Sequence, residues 1–126
     1  MLPETKRKSY HKLTVYQKAK ELVLLTYKLT KDFPREERYV LVPQMRRSAI
    51  SIVANIVEGY IKKSKKEYAR FLDISIGSST ELGFYFELSV DLDYSSGQDL
   101  ERVNALLTEV KKLLYSYQRS LRASVR

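Results

Sequence analysis

The chain has 126 residues, room for one hydrophobic core and a single domain. The absence of Cys and the single His, His11, exclude a disulfide framework, thiolate chemistry and most imidazole-based metal or acid-base centres. Charged residues make up 30% with only four Gly and three Pro, which excludes a disordered or fibrous chain, and the net charge of +8 points to a polyanionic partner.

Four segments carry helical periodicity and none carries sustained strand alternation. The first is predicted from Leu13 to Asp32, with Val15, Ala19, Leu22, Val23, Thr26 and Leu29 as its apolar stripe and Thr14 with Gln17 at capping-box spacing. Phe33 and Pro34 stop it. Residues 35–42 are a connector, because Pro43 disfavours helix at Val42 and suits the first helical position of the next segment.

The second helix is predicted from Pro43 to Ile61, with Met45, Ala49, Ile52, Val53, Ile56 and Tyr60 on one face and Ile50 and Val57 off it. Gly59 loosens its end, and the Ser64 and Glu67 pair begins a third helix that runs to Asp93. That helix carries two seams: Tyr68, Leu72, Ser75, Ser79, Leu82 and Phe86, and a second of Phe71, Ile74, Tyr85, Leu88 and Leu92. Two seams imply two buried faces; one can face the bundle and the other a neighbouring subunit, with Gly77, Ser78, Ser79 and Gly83 letting backbones approach closely, or these small residues only relieve crowding inside one bundle. The fourth helix, from Gln98 to Ala123, repeats Leu100, Val103, Leu107, Val110, Leu114, Tyr117 and Leu121 in a three-four alternation. Four helices with short connections read as an all-α, antiparallel, up-down-up-down bundle. The whole chain, 1–126, is one domain with a basic N-terminal tail over residues 1–12.

In such a bundle the start of helix one, the second connection and the end of helix four share one pole. These segments are basic: Lys6, Arg7, Lys8 and Lys12; Lys62, Lys63, Lys65 and Lys66; Arg119, Arg122 and Arg126. No Lys or Arg lies between Arg70 and Arg102, where Asp73, Glu81, Glu87, Asp91, Asp93, Asp99 and Glu101 accumulate, so the bundle is expected to be a charge dipole with a phosphate-docking end. Tyr10, Tyr60, Tyr68 and Tyr117 lie near that end, where a ring could stack on a base, although tyrosines at this spacing more often fill a core.

Catalytic patterns are missing. There is no Glu-x-x-His pair for a di-iron site and no Gly-rich phosphate loop. A ribonuclease of the HEPN type would need Arg7 and His11, which precede the first helix, so a non-enzyme without cofactor, metal or small-molecule substrate is expected. Asn55 and Glu58, inside the run SIVANIVEG, read as structural groups: Asn55 as a buried register-fixing amide, Glu58 as a partner for Arg46, Arg47 or a neighbouring chain. No apolar run approaches the roughly 20 residues of a membrane span. The opening MLPETKRKSYHK lacks the apolar stretch of a secretory signal, so a cytoplasmic location without membrane contact is expected.

The segments VYQKAKELVLLTYKLT, FPREERYVLVPQMRRSAISIVANIVEGY and SKKEYARFLDISIGSSTEL resemble the 23S ribosomal RNA intervening-sequence proteins. The specific positions are Gln44, Arg46, Arg47, Ser51, Ala54, Asn55, Ile56, Glu58 and Gly59, with Gly77, Ser78, Glu81 and Leu82. Val53 departs from the pattern, which often has Pro there; without that ring the second helix should be straighter. The resemblance implies a left-handed four-helix bundle, a homopentameric ring and no catalytic activity. A related group of the same fold, the accessory variability determinants of diversity-generating retroelements, binds nucleic acid and the element's reverse transcriptase. The resemblance therefore implies a non-catalytic accessory protein with nucleic acid (RNA before DNA), further copies of itself and a reverse transcriptase as expected partners. The rival expectation is an assembly scaffold for an acidic protein.

Overall fold

A computed structural model describes residues 9–124, and among these there is no strand. The elements are α1 (Thr14–Thr30), a 3-10 turn (Arg35–Glu37), α2 (Leu41–Tyr60), α3 (Lys65–Asp91) and α4 (Gly97–Ala123). Each helix packs on two others, α1 on α2 and α4, α3 on α2 and α4. Cross-helix pairs fix the directions. Arg46 of α2 meets Thr30 of α1, while Tyr60 at the end of α2 lies near Tyr10 before α1. Ser48 and Ser51 of α2 meet Glu81 and Ser78 of α3, Gln118 of α4 meets Ala69 of α3, and Lys18 of α1 meets Glu109 of α4. Every neighbouring pair is antiparallel, so the up-down-up-down order holds.

The core follows the predicted stripes. Leu22, Met45, Ile52, Ile56, Leu72, Leu82, Val103, Val110 and Leu114 are fully enclosed. The first seam of α3, from Tyr68 to Phe86, is buried throughout. Its second seam is split, with Tyr85 and Leu88 half-buried at the flank of the core and Ile74 and Leu92 exposed. Phe84, at 57% exposure, adds to this outer apolar face.

α2 and α3 approach closely because small residues line their contact. Ser75 Oγ donates to the Ile52 carbonyl of α2 at 2.8 Å, and Ser48, Ser75 and Ser79 are buried. A Cβ on Gly59 would stand 2.6 Å from Tyr68 Cδ1, so Gly59 permits the contact and does not merely loosen a helix end. Gly77 meets nothing within 4 Å, and its flank is open.

Several helix boundaries differ from the predicted ones by one or two residues. α2 starts at Leu41, two residues before Pro43: burial of Leu41 and Val42 overrides the pre-proline bias, and Glu37 Oε1 accepts from the Leu41 amide. Pro43 then occupies the first turn, where a missing N–H breaks no ladder bond. Thr14 and Gln17 form no capping box, since Leu13 is the N-cap and Gln17 Nε2 donates to the His11 carbonyl instead. Ser64 does cap α3, accepting from the Glu67 amide, and Ser96 caps α4 through Asp99. α3 closes at Asp91 with Asp93 in the left-handed region (φ 63°), the Tyr94 amide bonding the Ser89 carbonyl and the Asp93 amide that of Val90. α2 runs without interruption through Val53.

Candidate nucleic-acid interface

At one end of the bundle a chain of rings ties all four helices together. Tyr10 contacts Tyr16 and Tyr60 at 5.0 and 6.2 Å between centroids, Tyr60 contacts Tyr68 at 6.1 Å, and Tyr68 contacts Tyr117 at 5.2 Å. This end therefore gathers the start of α1, the α2–α3 connection and the end of α4. The rings are packing elements first. Tyr68 is 7% exposed and cannot stack on a base, and burial pushes its phenol well above the ordinary range. Its hydroxyl has no hydrogen-bond partner among the described residues. Tyr10, Tyr60 and Tyr117 are half-buried. His11 stacks on Tyr16 at 5.1 Å.

Lys12, Lys63, Lys65, Lys66 and Arg119 lie on the segments that meet at this end, exposed and without an ion pair among the described residues. Arg70, one turn into α3, is exposed beside them. Lys62 is less free: its Nζ lies 4.0 Å from Glu58 and 5.2 Å from the centroid of Phe71. Arg122 is committed too, with Nη2 2.6 Å from Asp73 Oδ2, while Gln118 Nε2 donates to the Asp73 Oδ1. Asp73 thus belongs to the basic end, and not with the acidic residues it was grouped with. Lys6, Arg7, Lys8 and Arg126 lie outside the described residues.

The remaining positions singled out in the sequence fall on the α2–α3 contact or beside it. Glu58 pairs with Lys62 of the α2–α3 connection, not with Arg46 or Arg47. Asn55 Nδ2 donates to Ser51 of its own helix, so register across the contact is held by Ser48 to Glu81 (2.6 Å), Ser51 to Ser78 (2.8 Å) and Ser75 to Ile52. Burial and the Glu81 carboxylate push the Tyr85 phenol up. Arg46 donates from Nε to Thr30 Oγ1 at 3.0 Å and stacks on Tyr27. Arg47 is exposed.

The expected charge dipole is corrected by the far end. The α3–α4 corner there is acidic, with Glu87, Asp91, Asp93 and Asp99, but the α1–α2 corner sets Lys28, Lys31, Arg35, Arg38, Arg46 and Arg47 against Asp32, Glu36 and Glu37 and is basic on balance. Antiparallel packing puts these beside the acidic corner, and the sequence signal was present in the run KDFPREER. One end is basic, and the other is divided.

A model of the 23S rRNA-intervening sequence proteins matches residues 11–116. The chain belongs to that family. Among solved structures, a crystallographic protein of unknown function from the S23 ribosomal protein family of Bacteroides thetaiotaomicron VPI-5482 is similar. It shows 29% identity and a TM-score of 0.77, covering 83% of this chain and 95% of that one. No curated protein matches. Among the described residues, no helix is long and apolar enough to cross a membrane, and no group of His, Cys, Asp and Glu side chains is placed to hold a metal ion.

Proposed function

We propose that this member of the intervening-sequence protein family is a non-catalytic nucleic-acid-binding protein, acting on RNA before DNA, as a subunit of a homo-oligomeric ring. The observation that carries the reading is the convergence of Lys12, Lys63, Lys65, Lys66 and Arg119, from three remote stretches, on one end without carboxylate partners among the described residues. Unpaired cations at one end attract a phosphate backbone with little sequence preference. Association into a ring is supported by the outer face of α3, where Ile74, Phe84 and Leu92 are exposed and Gly77 leaves open space. In a cyclic ring every basic end points the same way, so a pentamer would present them on one rim. The same surface would serve an element inserted in ribosomal RNA or a retroelement reverse transcriptase, since both need structured RNA held by its backbone.

Gel-shift titration over a salt series tests the reading. Binding through Z phosphates gives a log-log slope of about −0.7Z on single strands and −0.9Z on duplex. Replacing Lys62, Lys63, Lys65 and Lys66 with Glu abolishes the shift and leaves the oligomer intact. An absent or salt-insensitive shift removes the nucleic-acid reading and leaves an acidic protein as the occupant. Ile74→Glu with Phe84→Glu lowers the mass measured by light scattering to that of the monomer; an unchanged mass removes this face from the ring contact.

A further inference from the structure

The far end carries a second cationic feature, independent of the basic end and of the ring. At the α1–α2 corner a cavity of about 130 Å³ is walled by Lys31, Arg35, Arg38 and Arg46, with no carboxylate in its lining. The acids of the same segment, Asp32, Glu36 and Glu37, do not line it. Glu37 is engaged by the Tyr94 hydroxyl at 2.7 Å and by the Leu41 amide.

Arg46 is held in place before any ligand arrives. Its Nε donates to Thr30 Oγ1 at 3.0 Å, and that hydroxyl is 2% exposed and itself donates to the Thr26 carbonyl. The guanidinium lies 4.4 Å from the Tyr27 ring centroid. Its terminal nitrogens have no hydrogen-bond partner among the described residues, so a planar two-pronged donor is available in a residue that lines the cavity. Phe33 and Pro34 brace one side, and the 3-10 turn that follows sets Arg35 and Arg38 together through the Arg38 amide to Arg35 carbonyl bond. Four like charges around so small a space repel one another unless an anion sits among them.

We infer that this corner is a binding site for one dianionic phosphate group, either free phosphate or the terminal phosphate monoester of a nucleic acid. A space of about 130 Å³ has room for one tetrahedral group among these cations. Because α1 separates the two ends by about 25 Å at 1.5 Å per residue, the site is distinct from the basic end, and neither depends on the other.

The test uses the full chain and follows the Arg46 Nε–Hε and Thr30 amide signals by NMR while inorganic phosphate is added at fixed pH and ionic strength. Saturable shifts are expected, weakened at least about tenfold in Lys31→Ala with Arg38→Ala, two exposed positions. The shifts persist when Lys62, Lys63, Lys65 and Lys66 are replaced with Glu. No saturable shift, or a response unchanged by the double substitution, overturns the site. A 5′-phosphorylated oligoribonucleotide that displaces inorganic phosphate, where the 5′-hydroxyl form does not, assigns the group to a nucleic-acid end; failure of both assigns it to free phosphate.

Discussion

The Ser75 hydroxyl reaches the Ile52 carbonyl across the α2–α3 contact, and the hydrogen bond has room only because the residue is small. Both groups are shielded from water, with Ser75 and Ile52 each at 0% exposure. Ser75→Ala removes one hydrogen bond and costs about 1 kcal/mol, because the Ile52 carbonyl keeps its place in the helix ladder. Ser75→Leu forces the helices apart and costs about 3 kcal/mol. Urea midpoints at constant m-value give the order wild type, Ala, Leu.

Two glycines of the same pair of helices are predicted to respond with opposite signs. At Gly59 a methyl meets Tyr68 Cδ1 at 2.6 Å and Phe71 Cβ at 3.0 Å, and Tyr68 is too enclosed to yield. Gly59→Ala therefore destabilises by about 1–2 kcal/mol despite its better helix propensity. At Gly77 the space is open, and Gly77→Ala stabilises the isolated chain by up to about 1 kcal/mol. Thermal melts of both variants decide it, and a Gly77→Ala protein that melts higher yet assembles less well would locate a subunit contact on that flank.

The Tyr94 phenol, donating to Glu37 Oε2 at 2.7 Å, is pushed up to about 12 by that hydrogen bond, with burial and the Glu37 charge acting in the same direction. A raised folded value means that the neutral phenol is the favoured form. Its stabilisation is complete below the ordinary phenol value of about 10 and is lost as pH rises through about 12. Difference absorbance of wild type against Tyr94→Phe isolates this phenol, and Glu37→Gln brings its titration back towards the ordinary range.

Cations at the basic end are not equivalent. Lys63 and Lys66 are exposed and unpaired among the described residues, whereas Arg122 is tied to Asp73, which also accepts from Gln118. Lys63→Ala with Lys66→Ala lowers the salt slope of RNA binding by about two phosphate contacts and leaves stability within about 0.5 kcal/mol. Arg122→Ala changes the slope less. Measuring slope and melting temperature on the same samples distinguishes the two classes.

The helices and their buried faces were legible in the chain because Leu, Ile and Val at three- and four-residue spacing leave few alternatives. Ser75 and Ser79 fall on a predicted seam by spacing, whereas Ser48 does not, since a serine off an apolar stripe is buried only where a neighbouring backbone or carboxylate accepts its hydrogen. Pro43 misled by two residues because a local bias yielded to the burial of Leu41 and Val42. For the site, helix direction alone brought the remote lysines together. It could not show that Asp73 neutralises Arg122, which depends on side chains half a bundle apart in sequence. Lys31, Arg35 and Arg38 carry no sequence pattern of their own and Arg46 reads as a partner for Glu58, until the turn at Pro34 folds the four around one cavity.

The turn at Asp93 is closed by its own main chain, through Tyr94 to Ser89 and Asp93 to Val90. Side chains reinforce the joint at Ser96, which caps α4, and at Ser89, whose hydroxyl donates to Ser95. A fluorophore attached at the exposed Asp91 would ride on the bundle's blunt tip, at the end opposite Lys63, Lys65 and Lys66, and let assembly and RNA capture be watched independently.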